Sequence, residues 1–154
     1  MDFDELWLLI GDWQHHGDKA QHLAIAAGLA MARVHLQAGY DVVAPQFGVG
    51  QEFFEAIDAM VGETSAACHE IVLTGQPERV ATQFRQRRAE RTLAGESDVS
   101  ANISDDRVDE VIAGATKELT ALAAARPHTR FISTDGDVDS TYVRVREVLE
   151  RRSG

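Results

Sequence analysis

The chain has 154 residues, enough for one domain with a core, and its 44% apolar and 26% charged residues suit a globular protein rather than a disordered or collagenous one. Its formal charge of −10 speaks against a nucleic-acid interface, because a phosphate backbone needs a basic face. No apolar run approaches the roughly 20 residues of a membrane span, and the acidic start Met1-Asp2-Phe3-Asp4-Glu5 lacks the basic region of a signal peptide.

The single cysteine, Cys68, has no partner for an internal disulfide and reads as a small buried hydrophobe beside a strand. Together these features predict a cytoplasmic protein that meets neither nucleic acid nor membrane.

In chain order, residues 4–10 read as a short apolar helix ending near Gly11, followed by a polar loop over 12–17. A long helix over 18–38 has Asp18 as its N-cap and Gly39 as its stop. Residues 23–36 are apolar around most of that helix, which predicts burial on more than one side. Tyr40-Asp41-Val42-Val43-Ala44, closed by Pro45, reads as a buried parallel strand. Helical spacing returns over 51–61, with Phe53, Phe54, Ile57 and Met60 on one face.

Residues 70–74 form a second predicted strand, and Pro77 opens a basic helix over 78–92. The polar stretch 94–105 reads as a mobile loop. A helix over 106–126 stops at Pro127, a third strand covers 130–133, and a last helix covers 138–151. Strands alternating with helices predict an α/β fold with a parallel sheet covered on both faces, in a single domain over 1–154.

Several pieces, taken in order, resemble the small P-loop kinase-like proteins labelled AAA-family ATPases, kin to gluconate kinases, zeta-toxin-like kinases and polynucleotide kinases. They are Asp2-Phe3-Asp4-Glu5-Leu6-Trp7, residues 35–46, His69-Glu70-Ile71-Val72-Leu73-Thr74, Phe84-Arg85-Gln86-Arg87, and residues 134–142. The resemblance implies a three-layer parallel sheet of P-loop kinase type and a lid at about 78–105. It also implies an ATP-dependent phosphotransferase, with Mg²⁺, acting on a small hydroxyl-bearing molecule. The family opens with a strand, a GxxxxGK[ST] loop and a helix; this sequence has no such loop, so the resemblance implies a fold truncated by about 30 residues, one strand–loop–helix unit. Without the loop's backbone donors, lysine and Mg²⁺-holding hydroxyl, ATP binding by this chain alone is not expected to be strong.

By the same resemblance Asp2 and Asp4 take a proton from the substrate or help hold Mg²⁺, and Arg87 joins them in catalysis. Arg85 and Arg88 close over the phosphates, while Thr134, Asp135 and Gly136 meet the cofactor and Gln46 the substrate. The residues themselves allow plainer readings. Asp2 and Asp4 suit a helix N-terminus, Arg79 to Arg91 a solvated face, Gln46 an ordinary loop, and Asp135-Gly136 a turn.

No metal site is predicted. His15 and His16 are adjacent, His22 and His35 lie thirteen apart, and no zinc spacing joins them. Three functions remain open at this level: a phosphotransferase, a non-catalytic remnant that binds another protein or its own copy as a homodimer through exposed sheet surface, and a split enzyme whose loop comes from another chain.

Overall fold

A computed structural model describes residues 1–47 and 50–150. Gly48, Val49 and residues 151–154, among them Arg151, the predicted end of the last helix, lie outside the described residues. The chain forms two compact units, Met1–Ala66 with Arg88–Ile103 and Ala67–Arg87 with Ser104–Gly154.

The first unit is helical. Helices α1 (Phe3–Leu8), α2 (Gly17–Gln37) and α3 (Gln51–Thr64) pack in sequence order, joined by the last turns of α4 (Pro77–Ala94) and a 3-10 turn, Val99–Asn102. Asp2 caps α1, its carboxylate accepting the Asp4 N–H at 3.0 Å. Helix α2 begins at Gly17 with no side-chain cap, so Asp18 sits in the first turn rather than at the predicted N-cap. It stops where expected: Gly39 takes φ +83°, and the Tyr40 N–H reaches back to the His35 carbonyl at 3.0 Å.

The burial of α2 differs from the sequence expectation. Its buried residues are Ala20, Ala24, Gly28 and Ala32, a stripe at spacing four, whereas Leu23, Met31 and Val34 stay exposed. Small residues win because they admit close approach by larger ones from a neighbouring helix. Phe3 fills that space, buried against Gly28 and edge-on to Phe53 at a ring separation of 5.6 Å.

The second unit holds the described strands. Strands β1 (Ile71–Thr74) and β2 (Arg130–Ser133) pair in parallel, with Ile71 opposite Arg130 and Thr74 opposite Ser133. Around them lie the first turns of α4, a 3-10 turn over Asp105–Arg107, α5 (Val108–Ala124) and α6 (Val138–Glu150), the last packed on β2. Val108, Ile112 and Ala123 of α5, Ala81 of α4, Val72 and Ile132 are this unit's buried apolar residues.

The strand starts are tied by side chains. Glu70 accepts from the Arg126 guanidinium at 2.7 Å and from the Thr129 hydroxyl, and its carbonyl accepts the Arg130 N–H at 2.9 Å.

This architecture corrects the expected three-layer parallel sheet of P-loop kinase type. Helix dominates, and the described sheet has two strands. The first predicted strand, residues 40–44, makes no ladder. Tyr40 and Val43 are exposed there, and an apolar run becomes a strand only when a neighbour takes up its backbone groups. Cys68, predicted to be buried, is exposed just before β1. The predicted mobile loop at 94–105 is organised in part: Asp98 accepts the Ser100 N–H at 2.8 Å and starts the first 3-10 turn.

Candidate functional site

In parallel sheets, ligands gather at the carboxyl ends of the strands. Here β1 runs out into Thr74-Gly75-Gln76 and β2 into Thr134-Asp135-Gly136. The two exits are laced together. Thr134 donates both its N–H, at 2.6 Å, and its hydroxyl, at 3.0 Å, to the Thr74 carbonyl. A Cβ on Gly75 would stand 2.9 Å from the Thr134 hydroxyl, so the close approach requires glycine.

The Asp135 carboxylate accepts the Gln76 N–H at 3.3 Å and the Ser133 hydroxyl at 2.9 Å. Arg79, in the first turn of α4, donates to the carbonyls of Asp135 at 2.9 Å and Gly136 at 3.3 Å. Asp137 then opens α6, accepting the Ser140 N–H at 2.6 Å; this bond and the Ser140 hydroxyl hold its carboxyl below the ordinary aspartate value.

Donors and acceptors in this cluster satisfy one another. Its chemistry is that of a clasp joining two strand ends, with the Arg79 guanidinium and the Asp135 carboxylate each committed to intramolecular bonds. Arg79 was legible in the sequence only as one member of a basic run; nothing there pointed to its place across from Gly136. Gln76 carried no signal, because it acts through its backbone.

The other residues singled out from the sequence fall into both units. Asp2, Asp4, Gln46 and Arg88 belong to the first, and Arg85, Arg87, Thr134, Asp135 and Gly136 to the second. The Met1 amino group donates to the Val43 carbonyl, which places Asp2 beside the 40–44 segment. Arg88 donates to the Ile103 carbonyl.

Arg85 closes a two-pronged pair with Asp109, at 3.1 and 2.8 Å, and also reaches the Asp105 carbonyl at 3.2 Å. The hydrogen bond from Arg85 holds the Asp109 carboxyl below its ordinary value, and the same bond raises the Arg85 guanidinium. Arg87 lies 5.9 Å from the centre of the Phe84 ring. Thr134, Asp135 and Gly136 are thus brought together with one another and with Arg79, while Arg85 is held by α5.

Among the described residues, no group of three His, Cys, Asp or Glu side chains is placed to hold a metal ion, and no helix is long and apolar enough to cross a membrane. A shallow depression of about 270 Å³ in the first unit is lined by Ile10, Gly11, His16, Lys19, Ala20 and Leu23, none of them a catalytic, cofactor or substrate residue expected from the sequence.

The feature of the second unit that the clasp leaves unsatisfied is its sheet surface. Paired residues of a parallel ladder share a face and successive ones alternate, so Val72 and Phe131 lie on one face, Leu73 and Ile132 on the other. Val72 and Ile132 are buried, yet Phe131 is 46% exposed and Leu73 56%. Each face is covered over one strand and bare over the other. Beside it α6 has no buried residue at all, and Val138, Tyr142, Val143 and Leu149 are exposed.

No family model matches the chain, and neither curated proteins nor solved structures give a significant match. With the sheet reduced to two strands, the resemblance to P-loop kinase-like ATPases is corrected: neither the comparisons nor the architecture carries it.

Proposed function

We propose that this chain is a non-catalytic association module, which binds a second copy of itself through the open sheet surface of its second unit. The observation that carries this reading is the exposure of Leu73 and Phe131 on opposite faces of a parallel pair. Parallel sheets are stable when both faces are covered, and two strands with open edges offer a ready template for another chain. Burying one such side chain contributes about 1.5–3 kcal/mol. Helix α6, packed on β2, adds further exposed apolar residues to this unit. The cytoplasm is the compartment we assign, on the single cysteine, Cys68, which is exposed and has no second cysteine with which to form an internal disulfide.

Sedimentation equilibrium tests the reading. The expected mass rises with concentration from 16.9 kDa toward twice that value. Titration with Mg²⁺ and ATP in a calorimeter is expected to give no binding heat. A mass of 16.9 kDa at every concentration, or micromolar ATP affinity, would overturn it.

A further inference from the structure

Resting on the self-association just proposed, we infer that the second copy docks through α6, with the two helices antiparallel. Val138, Tyr142, Val145 and Leu149 follow one another at spacings of four, three and four, the stagger by which two helices interlock. Three of them, Val138, Tyr142 and Leu149, are exposed, at 83%, 61% and 49%. Val145 is half-buried, because the flank formed with Thr141, Arg144 and Val148 is turned away from solvent. A helix lying on a sheet ordinarily buries its apolar stripe; α6 packs on β2 and leaves most of its stripe bare.

Charge selects the occupant and its direction. Asp139 and Arg146 both flank this seam, one near each end. In an antiparallel pair related by a two-fold axis, Val138 meets the partner's Leu149 and Tyr142 meets the partner's Val145. Asp139 of each helix then lies beside the partner's Arg146, so the contact makes two opposite-charge pairs from one sequence.

A parallel pair would instead set the acidic first turns side by side and align the helix dipoles. Arg146 already pairs with Glu150 one turn on, and this exposed pair exchanges partners at little cost. The helix has 13 residues, about 20 Å, so the contact falls short of the roughly 1,200 Å² of a tight complex. The dimer is therefore weak, in the micromolar range or above.

Cross-linking reads the direction. In a Cys68→Ala background, Val138→Cys and Leu149→Cys chains are prepared separately, mixed and oxidised. The expected product is a 138-to-149 disulfide dimer in the mixture, with little dimer from either variant alone. Tyr142→Glu is expected to raise the dissociation constant at least tenfold with an unchanged far-ultraviolet circular dichroism spectrum.

A 138-to-138 disulfide without the mixed one would overturn the antiparallel pairing. A dimer by sedimentation that forms no 138-to-149 disulfide, and that tolerates Tyr142→Glu, would remove α6 from the contact while leaving self-association standing. A monomer at all concentrations would sink both.

Discussion

Phe3 lies so close to Gly28 that a Cβ at position 28 would stand 2.4 Å from the ring. Two opposing effects meet at that position. Replacing a helix-interior glycine with alanine ordinarily stabilises by about 0.5–1 kcal/mol. Here the methyl group must displace a ring that is 2% exposed and already set edge-on against Phe53. Overpacking costs about 1–3 kcal/mol, so the net effect of Gly28→Ala is destabilising. Urea unfolding is expected to show a lower midpoint for Gly28→Ala, and Phe3→Leu in the same chain is expected to recover part of the loss. Full additivity of the two changes would contradict the contact.

A second contact that decides stability is the tie at the strand starts. The Glu70 side chain is 16% exposed and that of Arg126 26%, so removing the carboxylate leaves donors poorly served by water. Glu70→Ala is expected to cost about 1.5–3 kcal/mol, the range for hydrogen bonds to charged groups, and Glu70→Gln less. Denaturant midpoints of the two variants provide the comparison. Equal midpoints for Glu70→Ala and the unaltered chain would show that the tie contributes nothing.

Acid sensitivity follows from Asp109 and Asp137, whose carboxyls are held below their ordinary value by Arg85 and by Ser140 respectively. A depressed folded value means that the unfolded chain binds protons first as pH falls. The stabilisation is complete above the unfolded value of about 3.9 and is lost as pH drops through the lower folded value. Thermal midpoints measured between pH 5 and pH 2 are expected to fall below pH 4. In Asp109→Asn the fall is expected to be shallower.

The charge of −10 opposes self-association, since two copies repel at long range. The contact surface itself is apolar. Raising ionic strength from about 0.01 M to about 0.15 M shortens the screening length from roughly 30 to 8 Å. Dimerisation is therefore expected to tighten over that range. Weakening over the same range would mean that charge pairs, rather than buried Leu73, Phe131 and α6 side chains, hold the copies together.

Helices were largely legible in the sequence because their signals are local. Gly39 ended α2 as read, Pro77 opened α4, and β2 matched its predicted span of 130–133. Residues 40–44 were misread for a physical reason: composition reports a preference for extended backbone, but a strand also needs a neighbour to pair with. The burial of α2 was misread because the residue facing its alanine and glycine stripe, Phe3, comes from another helix.

At the strand ends, Asp135-Gly136 was legible as a turn. The partners of Arg79 and Arg85 were not, since they lie 57 and 24 residues away. The α6 seam was present in the spacing of Val138, Tyr142, Val145 and Leu149. Only the packing on β2 revealed that this stripe stays open.

Hydrogen–deuterium exchange at two protein concentrations is the most direct measurement of whether a second copy covers the sheet. Peptides spanning 71–74 and 130–133 are expected to exchange more slowly in concentrated than in dilute solution, while those from α2 stay the same. Identical exchange of both strands at every concentration would contradict association through this sheet.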